Sequence, residues 1–290
     1  MNSRDPFRIE GPACISFSGG RTSGYMLWRI LQAHGGTLPK DVVVCFANTG
    51  KEMPETLDFV QECSERWGVA ITWVEYRPKV DGKKQWATVT HATASRNGEP
   101  YAALIADRNY LPNPVTRFCT VELKIRPMHK FLRSLGWDEW VSCIGIRADE
   151  ERRLAKMRAR GRSTETPDET PCAPLGDAGI TVADVGAFWA SNDFDLRLPN
   201  MNGKTMHGNC DLCFLKGGDQ VLALIRERPE RALWWMQQEG SIQSAGKFKG
   251  DGARFRSDRP SYAEMHRMAT QHGELFSFDD EALQDCACTD

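Results

Sequence analysis

The chain has 290 residues, enough to bury a substantial core in one large domain or two modest ones. Its 37 Lys and Arg balance 39 Asp and Glu, which excludes a protein basic all over for polyanions but leaves room for a local basic patch. No apolar run reaches the length of a bilayer span, and the opening "MNSRDPFRIEGP" lacks the apolar stretch of a secretory signal, so a cytoplasmic protein without a membrane partner is expected.

The first half alternates between strand and helix patterns. "ACISF" is a short apolar strand, and "SGYMLWRILQAHG" places Tyr25, Leu27, Ile30 and Leu31 at helical spacing before glycines stop it. "DVVVCFANTG" is too uniformly apolar for a half-exposed strand and reads as buried on both faces. "PETLDFVQECSERWG" is helical, "AITWVEY" is a third strand, "IRPMHKFLRSLG" a helix and "EWVSCIGIR" a fourth strand. Such alternation implies parallel βαβ units in a doubly wound sheet, whose ligands bind beyond the carboxyl ends of the strands.

Beyond about residue 155 the pattern weakens. "RARGRSTETPDETPCAPLG" reads as a mobile connection. "DVGAFWASN", "GGDQVLALIRERP" and "RALWWMQQEG" read as short helices of a smaller lobe, with Trp234 and Trp235 in its core. The expected boundaries are 1–160 for a nucleotide-binding domain and 161–290 for a mainly helical lobe with most of the clustered cysteines.

"SFSGGRTSG" joins the first strand to the first helix. Glycines let the backbone approach a ligand, and the unpaired N–H groups and dipole of the helix start favour an anion. Hydroxyls add donors. The candidate phosphate-binding residues are Ser16, Ser18, Gly19, Gly20, Arg21, Thr22 and Ser23. The loop is not the common P-loop, which requires Lys and Ser or Thr after its second glycine, nor the Rossmann fingerprint. A tight strand-to-helix turn with a cap is the bland alternative.

The loop resembles the Ser-Gly-Gly-x-Asp-Ser signature of the ATP pyrophosphatases, the PP-loop enzymes, with Thr22 at the aspartate position. "FANTGKEMPETLDFV" resembles the Asp-Thr-Gly and Phe-Pro-Glu-Thr segment of phosphoadenylyl-sulfate (PAPS) reductases. "RFCTVELKIRPMHKFL" resembles that family's cysteine-bearing segment, and "WVSCIGIRADEERR" its strand ending in Gly-x-Arg. The four ordered motifs cover roughly residues 13–155. The resemblance implies an adenine nucleotide alpha-hydrolase-like fold with a five-stranded parallel sheet. It places Asn48, Thr49 and Gly50 near the nucleotide, ATP or PAPS, and gives Lys124 and Arg147 an anionic phosphoryl or sulfuryl group to hold. It leaves room for magnesium beside the phosphates.

Ten cysteines in a reducing compartment point to metal or redox chemistry wherever they cluster. Cys210 and Cys213 form a Cys-x-x-Cys between glycines, a spacing that lets two thiolates reach one metal. Adenylyl-sulfate reductases hold a 4Fe–4S cluster with a Cys-Cys pair and a later Cys-x-x-Cys. By that resemblance Cys119, Cys210 and Cys213 are three ligands, with Cys288 or Cys286 of the tail as the fourth, or with the fourth iron left open. Zinc held by thiolates is the alternative. The tail also resembles the catalytic Glu-Cys-Gly-x-His of PAPS reductases without its Gly-x-His, which makes Cys286 and Cys288 candidate catalytic thiols. Cys14, Cys45, Cys63 and Cys143 read as small core hydrophobes.

The function implied is ATP-dependent adenylation of a substrate followed by sulfur insertion. Two alternatives stand beside it: a PAPS or adenylyl-sulfate reductase, and a non-catalytic iron–sulfur nucleotide sensor or component of a phosphorothioation-like nucleic-acid modification assembly. The partners implied are an adenine nucleotide, a sulfur acceptor (small molecule or nucleic acid) and a protein donating sulfur or electrons.

Overall fold

The computed structural model describes residues 5–162, 167–201, 204–242 and 253–271. Its main sheet has six strands: β1 (Ala13–Ser16), β2 (Val42–Asn48), β3 (Ile71–Val80), β4 (Lys83–Val89), β5 (Trp140–Cys143) and β6 (Glu169–Cys172). Their order is β4-β3-β2-β1-β5-β6. Five strands run parallel, and β4 adds an antiparallel edge, so the sheet has one strand more than expected. The extra strand is a hairpin return. Asp81 and Gly82 both take positive φ between the paired residues Val80 and Lys83, a two-residue turn whose twist suits its strands. β6 lies inside the stretch read as a mobile connection. That reading is corrected: Pro171 suits an edge strand, where not every N–H has to pair.

The helices are α1 (Arg21–Ala33), α2 (Pro54–Trp67), α3 (Glu99–Arg108), α4 (Arg126–Ser134), α5 (Glu151–Arg160), α6 (Pro174–Asp177), α7 (Val182–Ser191), α8 (Gly218–Glu227), α9 (Ala232–Ser241) and α10 (Tyr262–Gln271). A π-helical turn, Thr120–Ile125, runs directly into α4. Alternation along the strands sorts side chains between two faces. Ala13, Ile15, Val42, Val44 and Phe46 join the core under α1, α2 and α7. Cys14, Cys45 and Trp140 meet Leu132 of α4 on the opposite face. Both faces of β2 are therefore covered, which is why its sequence is apolar without alternation.

A second core joins α3 to α8, α9 and α10. Trp235 is fully buried there and stacks on Tyr262 with ring centroids 5.2 Å apart. Leu212, Phe214 and Leu215, in and just after the Cys-x-x-Cys, belong to this core, so the thiol-bearing loop is held by packing.

Candidate functional site

β1 ends at Ser16 and α1 begins at Arg21, so the glycines form the turn between them, at the carboxyl edge of the sheet. Gly19 has φ 79°, and a Cβ there would lie 2.7 Å from Thr56 Cγ2, so this position demands glycine. Gly20 is extended and caps α1 without a side-chain hydrogen bond. The Ser23 hydroxyl donates to the Gly20 carbonyl at 3.0 Å and accepts the Ser18 N–H at 3.2 Å, with Ser18 Oγ 3.0 Å away. Ser18 and Ser23 thus set the shape of the loop. The first-turn N–H groups of α1, which no helix can satisfy internally, are the backbone donors an anion could take at this loop.

Arg21 points into the fold. Its Nε and Nη2 each donate to an Asp195 carboxylate oxygen at 2.7 Å, Nη1 donates to Thr205 Oγ1 at 2.9 Å, and Nη2 also reaches the carbonyls of Leu196 and Leu198. Charge-assisted bonds of this kind contribute roughly 1.5–3 kcal/mol each. They fasten a roof of Leu196, Thr205, Gly208 and Asn209 over the loop, leaving a cavity of about 20 Å³. Arg147 approaches from the other side: Nη1 donates to Thr22 Oγ1 at 3.0 Å and Nε to Asp149 at 3.0 Å. The residue at the family's aspartate position is thereby tied to the arginine singled out after the fourth expected strand.

The loop after β2 is folded on itself. Asn48 spends its amide on Glu75 (2.6 Å) and the Ser95 carbonyl (2.8 Å), and accepts the Gly50 N–H at 3.2 Å. Thr49 donates its N–H (3.0 Å) and its hydroxyl (2.8 Å) to the buried carboxylate of Glu52. Burial raises the Glu52 pKa, and the nearby charge of Lys124 partly offsets this. Lys124 also lines a cavity of about 180 Å³ with Ser16, Ser18 and Ala47. It therefore stands between the phosphate loop and the Thr49–Glu52 turn.

The thiols converge on Tyr101 of α3. Its hydroxyl is buried, and its pKa is raised by burial first and then by Cys119, Cys210 and Cys213, with Cys119 within hydrogen-bonding reach. Cys210 Sγ lies 3.5 Å from Thr49 Oγ1. Its own pKa is pushed up by burial and by Glu52 and Cys213. Three cysteines from two distant segments thus lie near one buried hydroxyl, and thiols are a donor set whose chemistry fits a thiolate-held metal. Among the described residues, however, no three His, Cys, Asp or Glu side chains form a ready metal-binding group. Cys286 and Cys288 lie outside the described residues.

Residues 12–196, well over half of the chain, match the phosphoadenosine phosphosulfate reductase domain. The chain belongs to that family. An uncharacterized nin region protein of Escherichia phage lambda is 31% identical over 213 residues, 71% of this chain and 67% of the relative. An uncharacterized protein of Methanocaldococcus jannaschii is 28% identical over 168 residues, 58% of this chain but only 29% of the relative's length. A PAPS reductase from Candida auris, solved as a phosphate complex, aligns with a TM-score of 0.41 at 17% identity, covering 66% of this chain and 80% of its own. The U34-tRNA thiolase NcsA of Methanococcus maripaludis, solved with its 4Fe–4S cluster, aligns with a TM-score of 0.35 at 13% identity, covering 82% and 76%. Both scores are low, and the family model carries the assignment.

The structure adds residues the motifs did not single out: Lys51, Glu52, Tyr101 and Asp195 within the matched domain, and Asp211 beyond it. Lys51 and Glu52 directly follow Asn-Thr-Gly, and two charges beside a buried strand end are a signal that sequence carries. Asp211 sits inside the Cys-x-x-Cys, flanked by residues of the lobe core. Tyr101 and Asp195 offer no local signal. The four cysteines read as core hydrophobes are buried, and Cys172, placed by β6, has its Sγ 3.4 Å from that of Cys143. Among the described residues, no helix is long and apolar enough to cross a membrane.

Proposed function

We propose that this family member binds an adenine nucleotide with its phosphates on the 18–23 loop and catalyses sulfur transfer to an adenylated acceptor. An acceptor oxygen attacks the α-phosphate of ATP, and pyrophosphate leaves. A sulfur nucleophile then displaces AMP, taking the acceptor oxygen with it. The observation that carries this reading is the continuity of the roof with the thiol loop: the chain over the phosphate loop, through Gly208 and Asn209, runs straight into Cys210. In this arrangement Arg147 and Lys124 hold the nucleotide's anionic groups. A metal centre would be held by Cys119, Cys210 and Cys213, with the tail thiol of Cys288 or the incoming sulfur as the fourth donor. Such a centre, a 4Fe–4S cluster or zinc, would supply a site at which sulfur is activated.

The test is product analysis with anaerobically purified protein. Pyrophosphate release from ATP that depends on an acceptor supports the proposal. Sulfite release from PAPS or adenylyl sulfate, with a reduced thiol protein as electron donor, would instead support a reductase, the reading favoured by the family match itself. Nucleotide binding without turnover of any of the three would leave a sensor or an assembly component.

A further inference from the structure

Helix α5 carries an unusual charge arrangement for a protein that is nearly neutral overall. Its sequence, "ERRLAKMRAR", buries only Leu154. Three of the nearby basic residues are neutralised: Arg153 pairs with Glu150, Arg158 with Asp177 and Arg162 with Glu139. Arg152, Lys156 and Arg160 are exposed and make no ion pair or side-chain hydrogen bond among the described residues. They are spaced i, i+4, i+8, so they form one row along the helix at steps of about 6 Å. Ala155 and Ala159, also exposed, lie beside this row. The result is a flat cationic face without a bulky side chain to hold a ligand off.

The helix starts beside the site. α5 begins four residues after Arg147, which is bonded to Thr22 of the phosphate loop, and Glu150 at the start of α5 accepts the Arg147 N–H at 2.9 Å. We propose that the Arg152, Lys156 and Arg160 face of α5 docks the sugar-phosphate backbone of a nucleic-acid strand. A phosphate backbone can be held by charge alone, because neutralised phosphates release counterions. A protein partner calls for an aromatic or apolar centre, and a membrane surface calls for an apolar face beside the cations. The row offers neither. Placing the strand as the sulfur acceptor rests on the reaction proposed above; docking on α5 does not.

The test uses the full chain and a fluorescein-labelled 20-nucleotide oligo(dT), followed by anisotropy. Three contacts to a single strand predict that affinity falls about 20-fold between 50 and 200 mM salt. The triple variant Arg152→Gln, Lys156→Gln, Arg160→Gln should bind at least about tenfold more weakly at low salt and lose most of the salt dependence. Arg158→Gln with Arg162→Gln, which removes equally basic but paired residues, should bind within about twofold of the parent chain. Unchanged binding by the triple variant, or no binding by the parent at 50 mM salt, would overturn the proposal. So would tighter binding to phosphatidylserine vesicles, or displacement of the oligonucleotide by poly-glutamate at equal charge. Calorimetry with ATP separates the two readings: the triple variant keeps its ATP affinity, whereas a parent chain that binds oligo(dT) but not ATP sinks the proposed reaction and leaves the docking face standing.

Discussion

Lys51 and Asp211 form a 3.0 Å ion pair with both side chains buried, and the Asp211 N–H donates to the Lys51 carbonyl at 2.7 Å. Lys51 follows the Asn-Thr-Gly turn at the end of β2, and Asp211 stands between the two cysteines of the Cys-x-x-Cys. The pair therefore ties the two halves of the candidate site together. Trp235 Nε1 donates to Asp211 at 2.9 Å, Arg231 approaches it at 3.3 Å, and the Lys51 ammonium lies 4.9 Å from the centre of the Trp234 ring. Every charge in this knot has a partner, which is the condition for burying it.

Removing Lys51 takes away the nearer of the two cations facing the buried Asp211 and leaves it Arg231 and Trp235. Lys51→Met should therefore cost about 1.5–3 kcal/mol of stability, the loss of one charged hydrogen bond, rather than that of a fully stranded charge. It should also loosen the thiol loop, so that Cys210 reacts faster with a disulfide reagent than in the parent chain. Urea unfolding and thiol-labelling rates check the two halves of this expectation. A variant with parental stability and a Cys210 as inert as before would show that the pair fastens nothing.

Arg147 tests the phosphate side. Its bonds to Thr22 and Asp149 use both edges of a planar guanidinium. Arg147→Lys keeps the charge and loses the fork, so ATP or PAPS affinity should fall about tenfold while the fold persists. Calorimetry decides, and equal affinity would confine Arg147 to holding the loop.

Much of this was legible in the sequence because the informative signals were local. The buried run at 42–48, the Gly19 turn and the helical spacing of α1 each sit within one short window. β4 was missed although Asp81-Gly82 is a hairpin signal, because "KKQWATV" is polar enough for an edge strand and looks like a loop. β6 was missed because Pro171 and the threonines around it mark connections more often than strands. Arg21 sits among the candidate phosphate-binding residues in sequence, while its partners Asp195 and Thr205 lie more than 170 positions away and leave no trace nearby. The thiol neighbourhood needed Tyr101, whose position depends on how α3 packs on the second core.

Glu239 should leave a pH signature. Its carboxylate accepts the Phe255 N–H at 3.2 Å and the Tyr262 N–H at 2.9 Å, yet burial raises its pKa above the ordinary value. In the window between the unfolded and folded pKa values the native state holds the extra proton, so stability falls as pH rises through it. Glu239→Gln removes this titration. Relative to the parent chain, the variant should gain stability as pH rises through and above the ordinary glutamate value. Carboxylates with lowered values, such as Asp258 and Glu264, lose their contribution below the ordinary carboxylate range and cancel in the comparison. Parallel urea melts at several pH values measure the gap, and a gap independent of pH would mean that Glu239 does not titrate differently on folding.

The thiols give the sharpest division of outcomes. If Cys119, Cys210 and Cys213 hold a 4Fe–4S centre, anaerobically purified protein should be brown and absorb broadly near ~400 nm, with iron and sulfide in similar amounts. Replacing any one of the three by alanine should remove most of that metal, whereas Cys63→Ala, in a core away from Tyr101, should leave it in place. Colourless protein with one zinc per chain would move the same ligands to the zinc reading. The tail is separated from this question by deleting residues 286–290. Loss of metal on deletion makes Cys286 or Cys288 a ligand. Retained metal with lost turnover makes one of them the thiol that acts on the substrate. If both metal and turnover survive, the tail plays no part, and the fourth position belongs to the incoming sulfur.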